Sequence, residues 1–105
     1  MQQNVVEIVK FKLALGATES DIMGVNPAFT EWVEQQPGLL YRSLTKDSQT
    51  GEYLDIIYWQ SMEHAKAVSA QFPTTEVCQR LTQYIDSESV TISHSNVLSQ
   101  TPCSG

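Results

Sequence analysis

The chain has 105 residues, 41% of them hydrophobic and 17% charged, with a formal net charge of −6. That composition belongs to one globular domain rather than to a disordered segment. The acidic balance excludes a general nucleic-acid binder, which needs Lys and Arg gathered on one face, and argues equally against docking on anionic membranes.

The opening Met-Gln-Gln-Asn has neither a basic region nor an apolar leader, and no run approaches the ~18 apolar residues of a membrane span. The expected address is the cytoplasm. Residues 4–13 are rich in β-branched side chains and predict a strand, with Val5, Glu7, Val9, Phe11 and Leu13 on one face and Val6, Ile8, Lys10 and Lys12 on the other. Thr18 followed by Asp21 predicts a helix start. Ile22, Val25, Phe29, Trp32 and Val33 then recur at helical spacing, with Pro27 among them. An interior proline costs a helix ~3 kcal/mol, so a broken or bent helix is expected from about 19 to 35.

Residues 39–46 and 52–60 read as two strands of a hairpin closed by the polar loop from Asp47 to Gly51. Ser61 is a good cap for a second helix, which Pro73 interrupts and which resumes near Thr75. Residues 88–98 alternate as a last strand. The order βαββαβ predicts an α+β, ferredoxin-like domain over residues 1–98, with a four-stranded antiparallel sheet and a flexible tail at 99–105. Apolar residues occupy both faces of the central strands, and helices cover only one. The uncovered face predicts a homodimer packed sheet to sheet.

The candidate chemistry is sparse. Asp55 stands among Ile56, Ile57 and Tyr58, and a carboxylate there must be paired, hydrogen-bonded or open to a cavity. Glu7 lies between Val6 and Ile8 and could approach His94 across antiparallel strands, as an acid–base couple or as a structural contact. His64 sits at the third position of its helix, where the helix dipole favours a neutral ring. Trp59, Tyr41, Tyr58 and Phe11 could line a ligand cavity; Arg42 and Tyr53 also decorate the hairpin. Cys78 and Cys103 fit no paired-ligand spacing, and the two histidines reproduce no metal motif, so no metal is expected. Without a glycine-rich phosphate or dinucleotide motif, no cofactor is expected either.

The first strand Val-Glu-Ile-Val-Lys-Phe-Lys-Leu, the Gln-Pro-Gly-Leu-Leu before the second, and Tyr-Leu-Asp-Ile-Ile-Tyr-Trp-Gln-Ser-Met-Glu-His-Ala resemble the dimeric α/β-barrel superfamily. The closest resemblance is to its antibiotic-biosynthesis-monooxygenase-like branch. It implies a homodimer in which each half holds a cavity between sheet and helices. Members include cofactor-free oxygenases of quinol or phenolic substrates and haem-degrading enzymes. In the oxygenases a tryptophan ending the third strand and an amide four residues earlier face the cavity. The matching positions here are Trp59 and Asp55, so the amide is replaced by a carboxylate. The Trp and His of the haem-degrading members are missing, with Val68 near the Trp position. Two readings follow: a cofactor-independent monooxygenase-like enzyme, with Glu7, Asp55, His64 and His94 around an apolar cavity, or a non-catalytic homodimer. The latter would bind a small apolar or aromatic ligand, or serve only in assembly.

Overall fold

Val5–Leu13 extends as β1, the β-branched residues favouring a pleated backbone. The computed structural model, which describes residues 3–101, follows it with α1 over Glu19–Glu34. Thr18 caps that helix reciprocally: Asp21 N–H donates to Thr18 Oγ1 at 3.2 Å, and Thr18 N–H donates to Asp21 Oδ2 at 2.9 Å. Of the two outcomes expected at Pro27, a break or a bend, the break does not occur, and α1 runs through the proline as one helix. Val25, Phe29 and Val33 carry the buried stripe across the proline in register. Their packing outweighs the lost hydrogen bond.

A turn at Gly38, with φ of +88°, leads into β2 (Leu39–Lys46), and the hairpin returns as β3 (Tyr53–Trp59). Asp47 Oδ1 accepts the Gln49 and Thr50 N–H groups at 2.8 and 3.1 Å, which shapes the hairpin loop. Ser61 caps α2 (Met62–Gln71), one 3₁₀ turn occupies Phe72–Thr74 around Pro73, and α3 spans Glu76–Thr82 with Thr75 as its cap. The last strand, β4, covers Ile85–Asn96 rather than 88–98. Its polar start is recruited by pairing, since Asp86 and Ile85 oppose Lys12 and Leu13. Ser89 Oγ accepts the Lys12 N–H at 2.8 Å beside the register shift.

The strands form one antiparallel sheet of four in the order β2-β3-β1-β4. The fold is therefore the expected ferredoxin-like α+β arrangement. Burial alternates along β3: Tyr53, Asp55, Ile57 and Trp59 are buried, whereas Leu54, Ile56 and Tyr58 are half-buried. In β1 the same alternation puts Val5, Glu7 and Phe11 against the helices and Val6 and Ile8 on the outer face. The core fills the helix side, where Val25, Phe29 and Val33 meet Ile57, Trp59, Ala65 and Val68.

Candidate functional site

The inner sheet face and the helices do not close completely on each other. Between them lies a cavity of about 270 Å³. Glu7, Val9, Phe11, Asp55, Ile57 and Trp59 make its floor. Phe29, Trp32 and Val33 of α1 and Val68, Phe72 and Leu81 from the second helical region roof it, while Val90 and Ile92 of β4 border it. Ile92 is 56% exposed although it lies on the inner face, so the cavity opens toward β4. The lining is mostly apolar, with two carboxylates and the hydroxyl residues Ser69, Thr82 and Ser87 among it.

Those two acids have different surroundings. Asp55, from the centre of β3, is gripped at both oxygens by Arg42, Nε donating at 2.8 Å and Nη2 at 2.6 Å. Arg42 also donates to Thr30 Oγ1 at 3.0 Å and lies over the Phe29 ring, 4.4 Å from its centroid. Both partners are buried, with side chains 8% and 9% exposed. Burial pushes the Asp55 carboxyl above the ordinary range, and the Arg42 hydrogen bonds offset part of that rise.

Glu7 belongs to a second cluster. Its Oε1 accepts the Trp59 indole N–H at 2.9 Å, and its Oε2 faces His94 Nε2 at 3.5 Å. The register explains this placement: Glu7 pairs with Ile57 on one side and His94 on the other, and Trp59 lies one pleat beyond Ile57. The approach of Glu7 to His94 across the ladder is as expected. Trp59 is both a core anchor, 1% exposed, and part of the cavity wall.

The remaining sequence-predicted residues divide by sheet face. Phe11 lines the cavity and stacks on Tyr53 with ring centroids 5.5 Å apart. Tyr41 and Tyr58 lie on the opposite face, where their rings pack on each other at 6.4 Å. They cannot line this cavity, because strand parity turns them away from it. His64 stands outside the lining, at the start of α2. Its Nδ1 meets Ser61 Oγ at 2.7 Å, and its ring fills the space a Cβ on Gly38 would need. Cys78 is a half-buried thiol whose burial raises its pKa, and Cys103 lies outside the described residues. Among the described residues no three His, Cys, Asp or Glu side chains gather as a metal site, and no helix is long and apolar enough to cross a membrane.

No protein-family model matches the sequence, and no curated protein matches it significantly. Solved structures do. The cofactor-independent oxygenase SnoaB from Streptomyces nogalater superposes with a TM-score of 0.69 at 14% identity, over 98% of this chain and 99% of that one. A heme-degrading protein from Mycobacterium tuberculosis gives 0.71 at 16% identity, over 97% and 99%. A candidate antibiotic biosynthesis monooxygenase from Bordetella bronchiseptica gives 0.76 at 16% identity, over 92% and 99%. This chain has the antibiotic-biosynthesis-monooxygenase-like fold. At such identities the likeness concerns architecture, and chemistry must be argued from the side chains.

Within this monooxygenase-like fold, the sequence reading missed three contributors. Arg42 was visible only as a hairpin residue. Its parity with Leu44 and its opposition to Tyr41 could have turned it inward toward Asp55. Trp32 and Phe29 were visible as a helical stripe, but periodicity alone does not distinguish a core contact from a cavity wall.

Proposed function

We propose that this chain binds a small apolar or aromatic molecule in the cavity between sheet and helices. It acts on that molecule as a monooxygenase-like enzyme without a bound cofactor, and it works as a homodimer. The single observation that carries the reading is a buried carboxylate, Glu7, in a mostly apolar cavity lining, held there by the Trp59 indole and backed from outside the lining by His94 at 3.5 Å. A carboxylate so placed is a general base for a ligand hydroxyl. Taking the proton leaves an electron-rich ring anion, which can pass electrons to dioxygen. The aromatic roof from Phe29, Trp32 and Phe72 keeps water from that anion. Asp55, neutralised by Arg42, holds the floor and fixes the hairpin against α1 through Thr30.

The non-catalytic reading rests on a specific observation of its own. Asp55 is satisfied by Arg42, and one Glu7 oxygen is satisfied by Trp59, as in a purely structural network. Oxygen uptake with naphthol and hydroquinone as probes, in the presence of a chelator, separates the two readings. The enzyme reading expects uptake above the protein-free rate, reduced about 10²-fold in Glu7→Gln. Saturable binding with no uptake supports the binding module instead, and neither binding nor uptake contradicts both.

A further inference from the structure

The cavity has an electrostatic sign as well as an apolar wall. Among the described residues no Lys, Arg or His lines it, whereas Glu7 and Asp55 do. Arg42 answers Asp55 from behind the lining through two guanidinium hydrogen bonds, so that acid is neutralised in place. Glu7 is answered less completely. Its side chain is 7% exposed, and Trp59 gives it one neutral N–H at 2.9 Å. His94 stands 3.5 Å away outside the lining, too far for a well-formed hydrogen bond. Folding has therefore stripped water from a carboxylate without setting a close cation on it, and a buried charge of that kind attracts one strongly. Above it, Phe29, Trp32 and Phe72 form a ring cluster in the roof, with the Phe72 centroid 5.3 Å from Phe29 and 5.6 Å from Trp32.

We infer that the cavity selects a protonated amine on an aromatic body, its ammonium on the Glu7 carboxylate and its rings against Phe29, Trp32 and Phe72. An ammonium carries donors only and an ionised carboxylate acceptors only, so the two match. Such a charge-assisted hydrogen bond is roughly twice as strong as a neutral one. Glu7 is already dried by folding, so the ligand adds chiefly the desolvation of its own ammonium. A neutral alcohol of the same shape leaves the buried charge unopposed. A carboxylate brings a second negative charge beside it, while Arg42 is held by Asp55 and Thr30. The volume of about 270 Å³ lies just under the ~300–1,000 Å³ usual for drug-sized ligands, so the body holds one or two rings. The selection rests on the ligand-binding part of the reading above and is separable from the oxidation, because an ammonium seated on Glu7 keeps that carboxylate from acting as a base.

The test is calorimetric titration of the wild-type protein with three matched probes: naphthylmethylamine as its ammonium, naphthalenemethanol and naphthoate. The ammonium is expected to bind about tenfold tighter than the alcohol, with naphthoate weaker again. In Glu7→Gln the advantage of the ammonium shrinks to about threefold or less. Glu31→Gln removes the same charge from an exposed position outside the cavity and keeps the advantage. Equal or tighter binding of the alcohol to the wild type overturns the selection while leaving the cavity reading intact. An unchanged advantage in a folded Glu7→Gln also overturns it, as does an equal loss in Glu31→Gln, which would assign the preference to overall charge. Failure of all three probes to bind removes the cavity reading and the selection together. The wild-type series decides the matter even if a variant does not fold.

Discussion

At the scale of single residues, the account turns on two buried carboxylates and the partners that keep them in the core. An isolated charge at Asp55 would be expelled or protonated; the bidentate Arg42 makes it tolerable. Removing one partner is therefore worse than removing both. Arg42→Met is expected to cost about 3–5 kcal/mol in urea unfolding, while Arg42→Met with Asp55→Leu recovers most of the loss. A double variant no more stable than the single would show that the pair does not act as a unit. The Glu7–His94 approach was legible in the sequence, because strand parity and βαββαβ topology put the two on neighbouring strands. The Arg42–Asp55 pair was not. Its formation depends on the β2–β3 register, which places Arg42 against Ile57 one residue after a shift between Leu39 and Tyr41. That irregularity leaves no trace in the hydrophobic pattern.

At the scale of elements, the caps at Thr18 and Ser61 and the interruption at Pro73 were legible, whereas a break at Pro27 did not form. Thr18, Ser61 and Thr75 each present an oxygen to an orphan N–H, a local effect that neighbours in sequence decide. Pro27 is a contest between a local penalty and tertiary packing, and the packing of Val25, Phe29 and Val33 is invisible until the sheet beneath them is known. The start of α1 is also tied to the hairpin. Glu19 meets Lys46 at 3.1 Å and accepts the Tyr53 hydroxyl at 3.0 Å. These partners, Lys46 first and then Tyr53, hold the Glu19 carboxyl below its ordinary value. A carboxyl lowered in the folded state contributes stability that is present above its unfolded pKa and lost as pH falls through the folded one. The melting-temperature gap between wild type and Glu19→Gln should therefore narrow as pH drops between about 5 and 3. Solvent and salt screen this exposed group, so the gap is small throughout. A gap that widens on acidification would reverse the assigned direction.

At the scale of the whole molecule, the layered architecture follows from the two-sided apolar character of the central strands. One side is answered by the helices. The outer face keeps Val6, Ile8, Leu54, Ile56 and Tyr58 half-buried, and this is the surface on which the proposed homodimer pairs. Ile56→Asp puts a charge in that face without touching the cavity. It is expected to give a folded monomer in analytical ultracentrifugation where the wild type gives a dimer; a monomeric wild type would remove the dimer from the account. The cavity itself was less legible than the fold, because Trp59, Phe29 and Trp32 serve core and cavity with the same residue types. The central claim is that this space is a ligand site. Calorimetry of naphthol binding to wild type and to Val68→Phe, which fills the space from α2, tests it most directly. The account predicts saturable binding to the wild type and none to a folded Val68→Phe; equal binding to both, or none to the wild type, would contradict it.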